Sequence, residues 1–178
     1  MPETTGSFHD AKVAAASYTN AILATLGSRD PLDVLGQTPS ALAKAVAGLP
    51  AEQVARPEAP GKWSVLQVLQ HLTDSELVGG YRFRLILTAD RPELVGYDQD
   101  VWVSRLHGGD TDATDLITRF GALRQGTLMV LRGTNQADRT RVGLHSERGE
   151  ESLEHLIRLY AGHDLVHLAQ IERIRNSL

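Results

Sequence analysis

Cysteine is absent from this chain of 178 residues. Without it the protein has no disulfide bonds, no thiolate nucleophile of its own and no metal site with sulfur ligands. Any metal ion must therefore be bound through nitrogen and oxygen atoms. A reaction at sulfur requires a thiol that arrives as a substrate.

Clustered positive charge and long apolar runs are also missing. The formal net charge is −4, the isoelectric point is about 5.9, and no block of Lys and Arg stands out. We therefore expect no nucleic acid as a partner. No apolar run approaches the roughly 18–20 residues of a membrane span, so no membrane is expected either. The polar N-terminal segment MPETTGSFHD lacks the layout of a signal peptide, which favours a cytoplasmic location.

Strand patterns are weak, whereas several segments show the 3.6-residue spacing of amphipathic helices. The most clearly delimited helix begins at Ser64, which forms a capping box with Gln67, and runs over residues 65–88. Thr38-Pro39 is expected to open an earlier helix, and residues 133–149 are expected to form a polar loop. Further helices are predicted at 10–26, 98–106, 112–132 and 152–176. The resulting prediction is an all-α helical bundle.

The most informative residues are His163 and His167, which lie four positions apart in the predicted last helix. They continue an apolar stripe that includes Leu156, Tyr160 and Ile171, so both imidazoles should point inward. Side chains at i and i+4 on a helix stand about 5–6 Å apart at Cβ, which allows two ring nitrogens to bind one metal ion. A buried imidazole needs a partner, and a shared cation serves both rings.

Two hydrogen-bonded structural histidines are the alternative, because a short HxxxH motif has a high false-positive rate. The segment HDLVH also differs from the zinc-protease motif HExxH, since its aspartate is one methylene shorter and only eleven residues follow His167. A third ligand must therefore come from upstream. His71 in the 65–88 helix is the stronger candidate. His145 in the predicted loop is a candidate for substrate contact or for simple exposure.

Three tracts together resemble the DinB/YfiT-like superfamily. They are PGKWSVLQVLQHLTDSE at 60–76 with the following Tyr81-Arg82, GLHSERGEESLEHLI at 143–157, and GHDLVHLAQIERIR at 162–175. The resemblance covers residues 30–176. Residues 1–29 are interpreted as an N-terminal extension, helical and packed on the bundle, and residues 30–178 as the DinB-like domain.

The resemblance implies a four-helix bundle with additional short helices, a homodimer, and a divalent metal ion, zinc or nickel, bound by His71, His163 and His167. Some members of the superfamily are S-transferases that use a low-molecular-weight thiol such as mycothiol or bacillithiol, and others are described as metal-dependent hydrolases. The expected function is a metal-dependent enzyme of one of these kinds acting on a small molecule. The alternative is a non-catalytic bundle protein that binds metal or another ligand.

Several polar neighbours of the histidines are candidates for supporting roles. Asp74, one turn after the upstream histidine, is expected to orient a ligand or a bound water, and Glu76 is expected to act as a base. Tyr160 lies one turn before the histidine pair, at the edge of the core. Asp164 and Gln170 flank the pair, and the expectation for both is a place on the helix surface, although metal-bound histidines usually donate their second N–H to such groups.

Overall fold

The computed structural model describes residues 8–107 and 111–177, with side chains from residue 17 onward. Eight helices account for most of this part of the chain. They are α1 (Phe8–Leu26), α2 (Pro31–Val46), α3 (Ala51–Ala55), α4 (Val65–Thr88), α5 (Gln99–Leu106), α6 (Ala113–Arg132), α7 (Gln136–Arg139) and α8 (Leu153–Ser177).

The four helices α2, α4, α6 and α8 form the bundle, with α2 and α4 each packed against both α6 and α8. Helix α1 lies outside this set and packs along α8. The structure thus confirms the predicted all-α bundle with additional short helices. In the described chain, none of the helices is both long and apolar enough to cross a membrane.

A small three-stranded sheet is the part of the fold that the sequence does not predict. Strand β1 (Glu93–Leu94) pairs in parallel with β2 (Val142–His145), which pairs antiparallel with β3 (Gly149–Ser152). The expectation of a plain loop over 133–149 was wrong, since that segment contains α7 and β2. Strands of two to four residues are too short to show the alternation by which a strand is recognised.

Helix α2 does not start at Thr38-Pro39 as expected, but at Pro31, and it continues through Pro39. A proline has no backbone N–H, so Pro39 leaves the carbonyl of Leu35 without its usual partner in the helix. The side chain of Arg124 on α6 donates to that carbonyl at 2.8 Å. A buried arginine from a neighbouring helix therefore replaces the missing bond, and the helix continues.

Helix α4 begins as predicted, because Ser64 Oγ accepts from the Gln67 backbone N–H (3.2 Å) while Gln67 Oε1 accepts from the Ser64 N–H (2.9 Å). Its buried residues change character along the helix. Val68 belongs to one apolar core and Phe83 to a second. Between them stands a run of buried polar side chains, Gln70, His71, Thr73, Asp74, Ser75 and Glu76. The polar layer between two apolar cores is where the candidate site lies.

Candidate metal centre

Helices α4 and α8 bring three histidines together in the polar layer. His71 Nε2 lies 3.0 Å from His163 Nε2, which in turn lies 3.1 Å from His167 Nε2. Two nitrogens bound to one zinc ion at 2.0–2.1 Å in a tetrahedral arrangement lie about 3.3–3.4 Å apart. The two separations that involve His163 are therefore slightly shorter than the separation that a shared metal ion imposes, and all three ligand atoms lie within 4.8 Å of one another.

The hydrogen bonds around the rings show which nitrogens are available as ligands. His167 Nδ1 donates to Gln170 Oε1 at 2.7 Å, so the lone pair of the neutral ring is on Nε2 and faces the other two histidines. His71 Nδ1 is buried without a hydrogen-bond partner. Three neutral imidazoles that meet through Nε2 cannot satisfy one another fully, because each ring carries only one N–H. A cation among them would accept all three lone pairs.

Burial keeps these histidines neutral, which is the form that binds a metal. Burial and then the charge of His167 lower the pKa of His71 to about 3. The pKa of His163 is well below its ordinary value, again through burial and then through the charges of His167 and His71. Burial also lowers the pKa of His167, although the Gln170 hydrogen bond and the charge of Asp164 act in the opposite direction.

An aromatic side chain covers one side of the centre. The Trp63 ring lies 5.0 Å from the His71 ring and 6.5 Å from the His167 ring, measured between centroids, and it is stacked on the latter. Trp63 directly precedes Ser64, the N-cap of α4, so the capping box fixes the chain where the indole begins. The indole therefore packs against two of the three histidines.

A buried ionic cluster lies beside the histidine pair on α8. Arg124 from α6 contacts Glu76 Oε2 at 2.8 Å and both carboxylate oxygens of Asp164 at 2.6 and 3.2 Å. The surface position expected for Asp164 was wrong, since only 1% of this residue is exposed. Gln170 is partly exposed, and its amide oxygen accepts from His167 Nδ1, so it orients that ring.

The cluster also determines where the Glu76 carboxylate lies. Burial raises the pKa of Glu76, while the charge of Arg124 opposes the rise. The opposing carboxylates outweigh burial at Arg124 and raise its pKa, so the guanidinium stays charged. Glu76 therefore faces the arginine, whereas its expected role was that of a base at the histidines.

Asp74 is bound to a histidine outside the three-histidine set. Its Oδ2 atom lies 2.6 Å from His107 Nε2, and 12% of each side chain is exposed. The same carboxylate is near Tyr97, whose pKa is raised to about 12 by burial first and by the charges of Tyr160 and Asp74 in addition. Asp74 thus lies close to the wall of the cavity described next, although it is not part of that wall.

A cavity of about 510 Å³ opens beside the histidine centre and exposes two of its three members to a ligand. Its volume is within the range of about 300–1,000 Å³ that is typical of small-molecule sites. The lining residues are Tyr18, Thr19, Ile22, His71, Ser75, Arg82, Gly96, Tyr97, Asp98, Gln99, His145, Glu147, Arg148, Leu159, Tyr160 and His163.

His145 is a lining residue, so of the two roles expected for it the structure favours substrate contact over exposure. It lies in β2, and only 4% of it is exposed. Tyr160 is buried as well, and its ring crosses α4 at Gly79, where a Cβ atom would stand 2.6 Å from Tyr160 Cζ. Only glycine allows the aromatic ring to approach the helix so closely.

Sequence reasoning missed Arg124 and Arg82, although α6 contained a signal for the first. Leu116, Phe120 and Leu131 are buried at helical spacing, and Arg124 falls on the same stripe. A charged residue on an apolar stripe predicts a buried ion pair. Arg82 belongs to the Tyr81-Arg82 pair of the superfamily-like tract, and it also falls at helical spacing among the buried residues Gly79, Phe83 and Ile86.

Comparison with known proteins is consistent with this geometry. A sequence model of the DinB superfamily matches residues 35–171. Two curated relatives, from Bacillus mycoides (strain KBAB4) and Bacillus cereus (strain 03BB102), carry the name "putative metal-dependent hydrolase". Each is 30% identical over 140 residues, which is 79% of this chain and 80% of the relative.

Among solved structures, YfiT from Bacillus subtilis is similar to this chain with a TM-score of 0.77 and 24% sequence identity. The match covers 99% of this chain and 91% of that chain. YfiT is described as "a probable metal-dependent hydrolase with an unusual four-helix bundle topology". The likeness places the bundle found here among known folds.

Proposed function

Because the chain belongs to the DinB superfamily, we propose that His71, His163 and His167 bind a divalent metal ion and that the protein is a metal-dependent hydrolase of small molecules. The observation that carries the proposal is the convergence of three Nε2 atoms beside a cavity. The names of the relatives support it, since they describe metal-dependent hydrolases.

The ligand atoms determine which ions fit. Three imidazole nitrogens suit zinc, nickel, copper or iron, whereas calcium and magnesium prefer oxygen ligands. Of these, zinc or nickel is the ion that we propose, because the resemblance to the superfamily implies one of the two. Three protein ligands leave at least one position open, as in catalytic zinc sites.

A divalent ion in this position supplies Lewis acidity, which lowers the pKa of water to about 7 or converts a thiol to its thiolate. The surrounding residues contribute orientation and packing. Gln170 holds His167 in the tautomer that presents Nε2, and Trp63 packs against the His71 and His167 rings without being part of the cavity wall. A substrate approaches through the cavity, where His71 and His163 face it.

Asp74 remains our proposal for the residue that accepts a proton. Its Oδ2 atom lies 2.6 Å from His107 Nε2, and 12% of each side chain is exposed, so a proton taken up by Asp74 can pass to solvent. Glu76 is the weaker of the two proposed bases, since its carboxylate is bound to Arg124.

We expect Asp74→Asn to lower the rate while the metal content stays near that of the wild type. We expect Glu76→Gln to lower stability more than it lowers the rate.

Thiol S-transfer with a low-molecular-weight thiol is a second candidate, and the size of the cavity favours it. A volume of about 510 Å³ accommodates a second reactant, whereas hydrolysis needs only water beside the substrate. The chain has no cysteine, so the thiol must be a co-substrate. Mycothiol or bacillithiol with an electrophile is the pair to test.

Homodimerisation through α4 is a further proposal. Leu77 and Tyr81 lie one turn apart on this helix, with 54% and 63% of their surfaces exposed. Neighbouring apolar side chains on one helix face are typical of a contact between subunits. Sedimentation analysis of the wild type and of Tyr81→Ser tests it, because the variant should shift toward monomer. The cytoplasmic location stays a prediction.

Elemental analysis of protein purified without a metal-affinity tag tests the proposed function. We expect about one zinc or nickel ion per chain in the wild type and a large loss in His71→Ala. Whichever activity the wild type shows, hydrolysis of an ester and amide panel or transfer of a thiol to an electrophile, should fall to background in His163→Ala. His155→Ala is the matched control, since His155 lies on the same helix outside the centre. Equal metal content in wild type and His71→Ala would refute the metal site.

A further inference from the structure

Arg82 is a buried cation without an acidic partner among the described side chains. Only 6% of it is exposed. Its guanidinium donates to two neutral acceptors, the Tyr160 hydroxyl oxygen at 3.4 Å and the Val95 carbonyl at 2.5 Å, and its Nε–H has no acceptor. A buried charge is normally paired, because removing it from water is costly. The missing counter-charge points to a ligand.

His145 lies next to this arginine through the small sheet. Leu94 pairs with His145 in the β1–β2 register, and the residue after Leu94 is Val95, which accepts from Arg82. His145 Nδ1 accepts from the Glu147 backbone N–H at 3.1 Å. Burial first, and then the charges of Arg148 and Arg82, lower the pKa of His145 to about 4, so the ring is neutral. Its one proton is therefore on Nε2, which gives the cavity that both residues line a second N–H donor.

Both residues line the cavity that also contains His71 and His163. On α4, Arg82 lies eleven residues after His71 and on the same helix face. Tyr160 stands between the guanidinium and His163: its hydroxyl accepts from Arg82 at 3.4 Å, and its ring lies 6.4 Å from the His163 ring, measured between centroids. The cavity thus has a histidine end and a cationic end. A ligand that reaches both ends must therefore extend along the length of the Tyr160 side chain.

The other charged lining residues do not neutralise Arg82. Asp98 and Glu147 are exposed at the mouth of the cavity, where water solvates them. Arg148 is already paired with Glu151, at 2.6 and 2.9 Å. The unpaired charge inside the cavity is therefore positive, and it selects a negatively charged group.

We propose that Arg82 and His145 form a carboxylate-binding subsite, and that the substrate is an elongated small molecule with a carboxylate remote from its reacting group. A guanidinium and a ring N–H are donors suited to carboxylate oxygens. The subsite itself stands on the cavity geometry, whereas the position of the reacting group rests on the proposed function of the histidine centre.

Calorimetric titration of the purified full-length protein with hexanoate and with hexanamide tests the subsite, because these probes differ in charge at one end. We expect hexanoate to bind at least about tenfold more tightly, as for hydrogen bonds to a charged group. Arg82→Gln should abolish the difference. Arg84→Gln removes the same charge from an exposed position of the same helix and should leave the difference unchanged.

A parallel titration in the presence of a chelator separates the subsite from the metal. One outcome refutes the subsite: the preference for hexanoate disappears when chelator is added, and without chelator it is the same in wild type and in Arg82→Gln. In that case the carboxylate binds the metal ion and not Arg82. The absence of any preference in the wild type refutes it as well. A preference that survives the chelator and requires Arg82 supports the subsite even if the metal proposal fails.

Two further variants decide the question if circular dichroism shows that Arg82→Gln does not fold. Arg82→Lys keeps the charge and should keep a preference for hexanoate. His145→Leu removes the N–H donor and should reduce the preference several-fold, with hexanamide binding unchanged. An unchanged preference in His145→Leu would remove His145 from the subsite and contradict the proposal.

Discussion

At the scale of single residues, the histidine centre depends on neighbouring side chains that fix its residues by hydrogen bonds and ion pairs. Gln170 orients His167, and Arg124 connects Glu76 and Asp164 while it also supports the backbone of α2 at Leu35. None of these contacts is visible as a motif. They are nevertheless the contacts whose loss should be measured first.

Replacement of Gln170 by leucine should weaken metal binding without unfolding the protein. The substitution removes the acceptor that keeps the His167 proton on Nδ1, so Nε2 is no longer held as a lone-pair donor. We expect a loss of metal affinity of roughly 10–100-fold. Competition with a chromogenic chelator measures it. Gln125→Leu, at an exposed position of α6, is the control and should retain the affinity of the wild type.

Replacement of Arg124 by methionine should destabilise the protein severely. Two buried carboxylates, Glu76 and Asp164, lose their partner, and the Leu35 carbonyl loses its donor. The expected loss in free energy of unfolding is about 3–5 kcal/mol. Urea denaturation of Arg124→Met beside the exposed control Arg119→Met checks it. Similar midpoints for the two variants would mean that the cluster contributes little.

At the scale of secondary-structure elements, the cavity requires helices that approach closely. Gly162 on α8 faces Ile22 on α1, and a Cβ atom there would stand 2.8 Å from Ile22 Cγ2 and closer still to the Ile22 carbonyl oxygen. Ile22 also lines the cavity. The distance between α1 and α8 therefore affects both packing and the shape of the site.

Substitution of Gly162 by alanine should push α1 away from α8. We expect a loss of about 1–3 kcal/mol, because the added methyl group meets backbone that cannot rotate away. Gly121→Ala on α6 is the matched control, since its nearest neighbour would be Pro39 Cβ at 3.8 Å. That variant should gain up to about 1 kcal/mol from higher helix propensity. Thermal unfolding distinguishes the two, and equal shifts would contradict the close contact.

At the scale of the whole molecule, the buried histidines make stability depend on pH. The folded-state pKa values of His71, about 3, and of His163 lie below the ordinary value of about 6.5 in the unfolded chain. The unfolded state therefore binds more protons below pH 6.5. The stabilisation is present above that pH and is lost as the pH falls toward 3.

Urea denaturation of chelator-treated protein at pH 7, 6, 5 and 4 should show this loss. Each neutral buried histidine contributes a slope of up to about 1.4 kcal/mol per pH unit in that window. His71→Leu should reduce the slope by about that amount, whereas His155→Leu, at a more exposed position, should change it little. A flat dependence between pH 6 and 4 would mean that the rings are not held neutral.

Much of this molecule could be predicted from residue spacing. The helical periodicity and the Ser64 capping box predicted α4 and α8, and the apolar stripe predicted that the histidines point inward. The sheet could not be predicted, because β1 has two residues and its partner is about fifty positions away. That sheet places His145 on the cavity that Arg82 also lines, so local pattern could not bring these two residues to one cavity.

Different helices and strands supply the histidines and the rest of the cavity lining, and this separation bears on how such proteins diverge in evolution. The three histidines come from α4 and α8, whereas α1, the segment after β1 and the β2–β3 hairpin supply much of the opposite wall. Mutations in those outer elements can reshape the space offered to a ligand while the histidines keep their positions. A lineage can therefore acquire a new substrate by altering its periphery and inherit its chemistry unchanged.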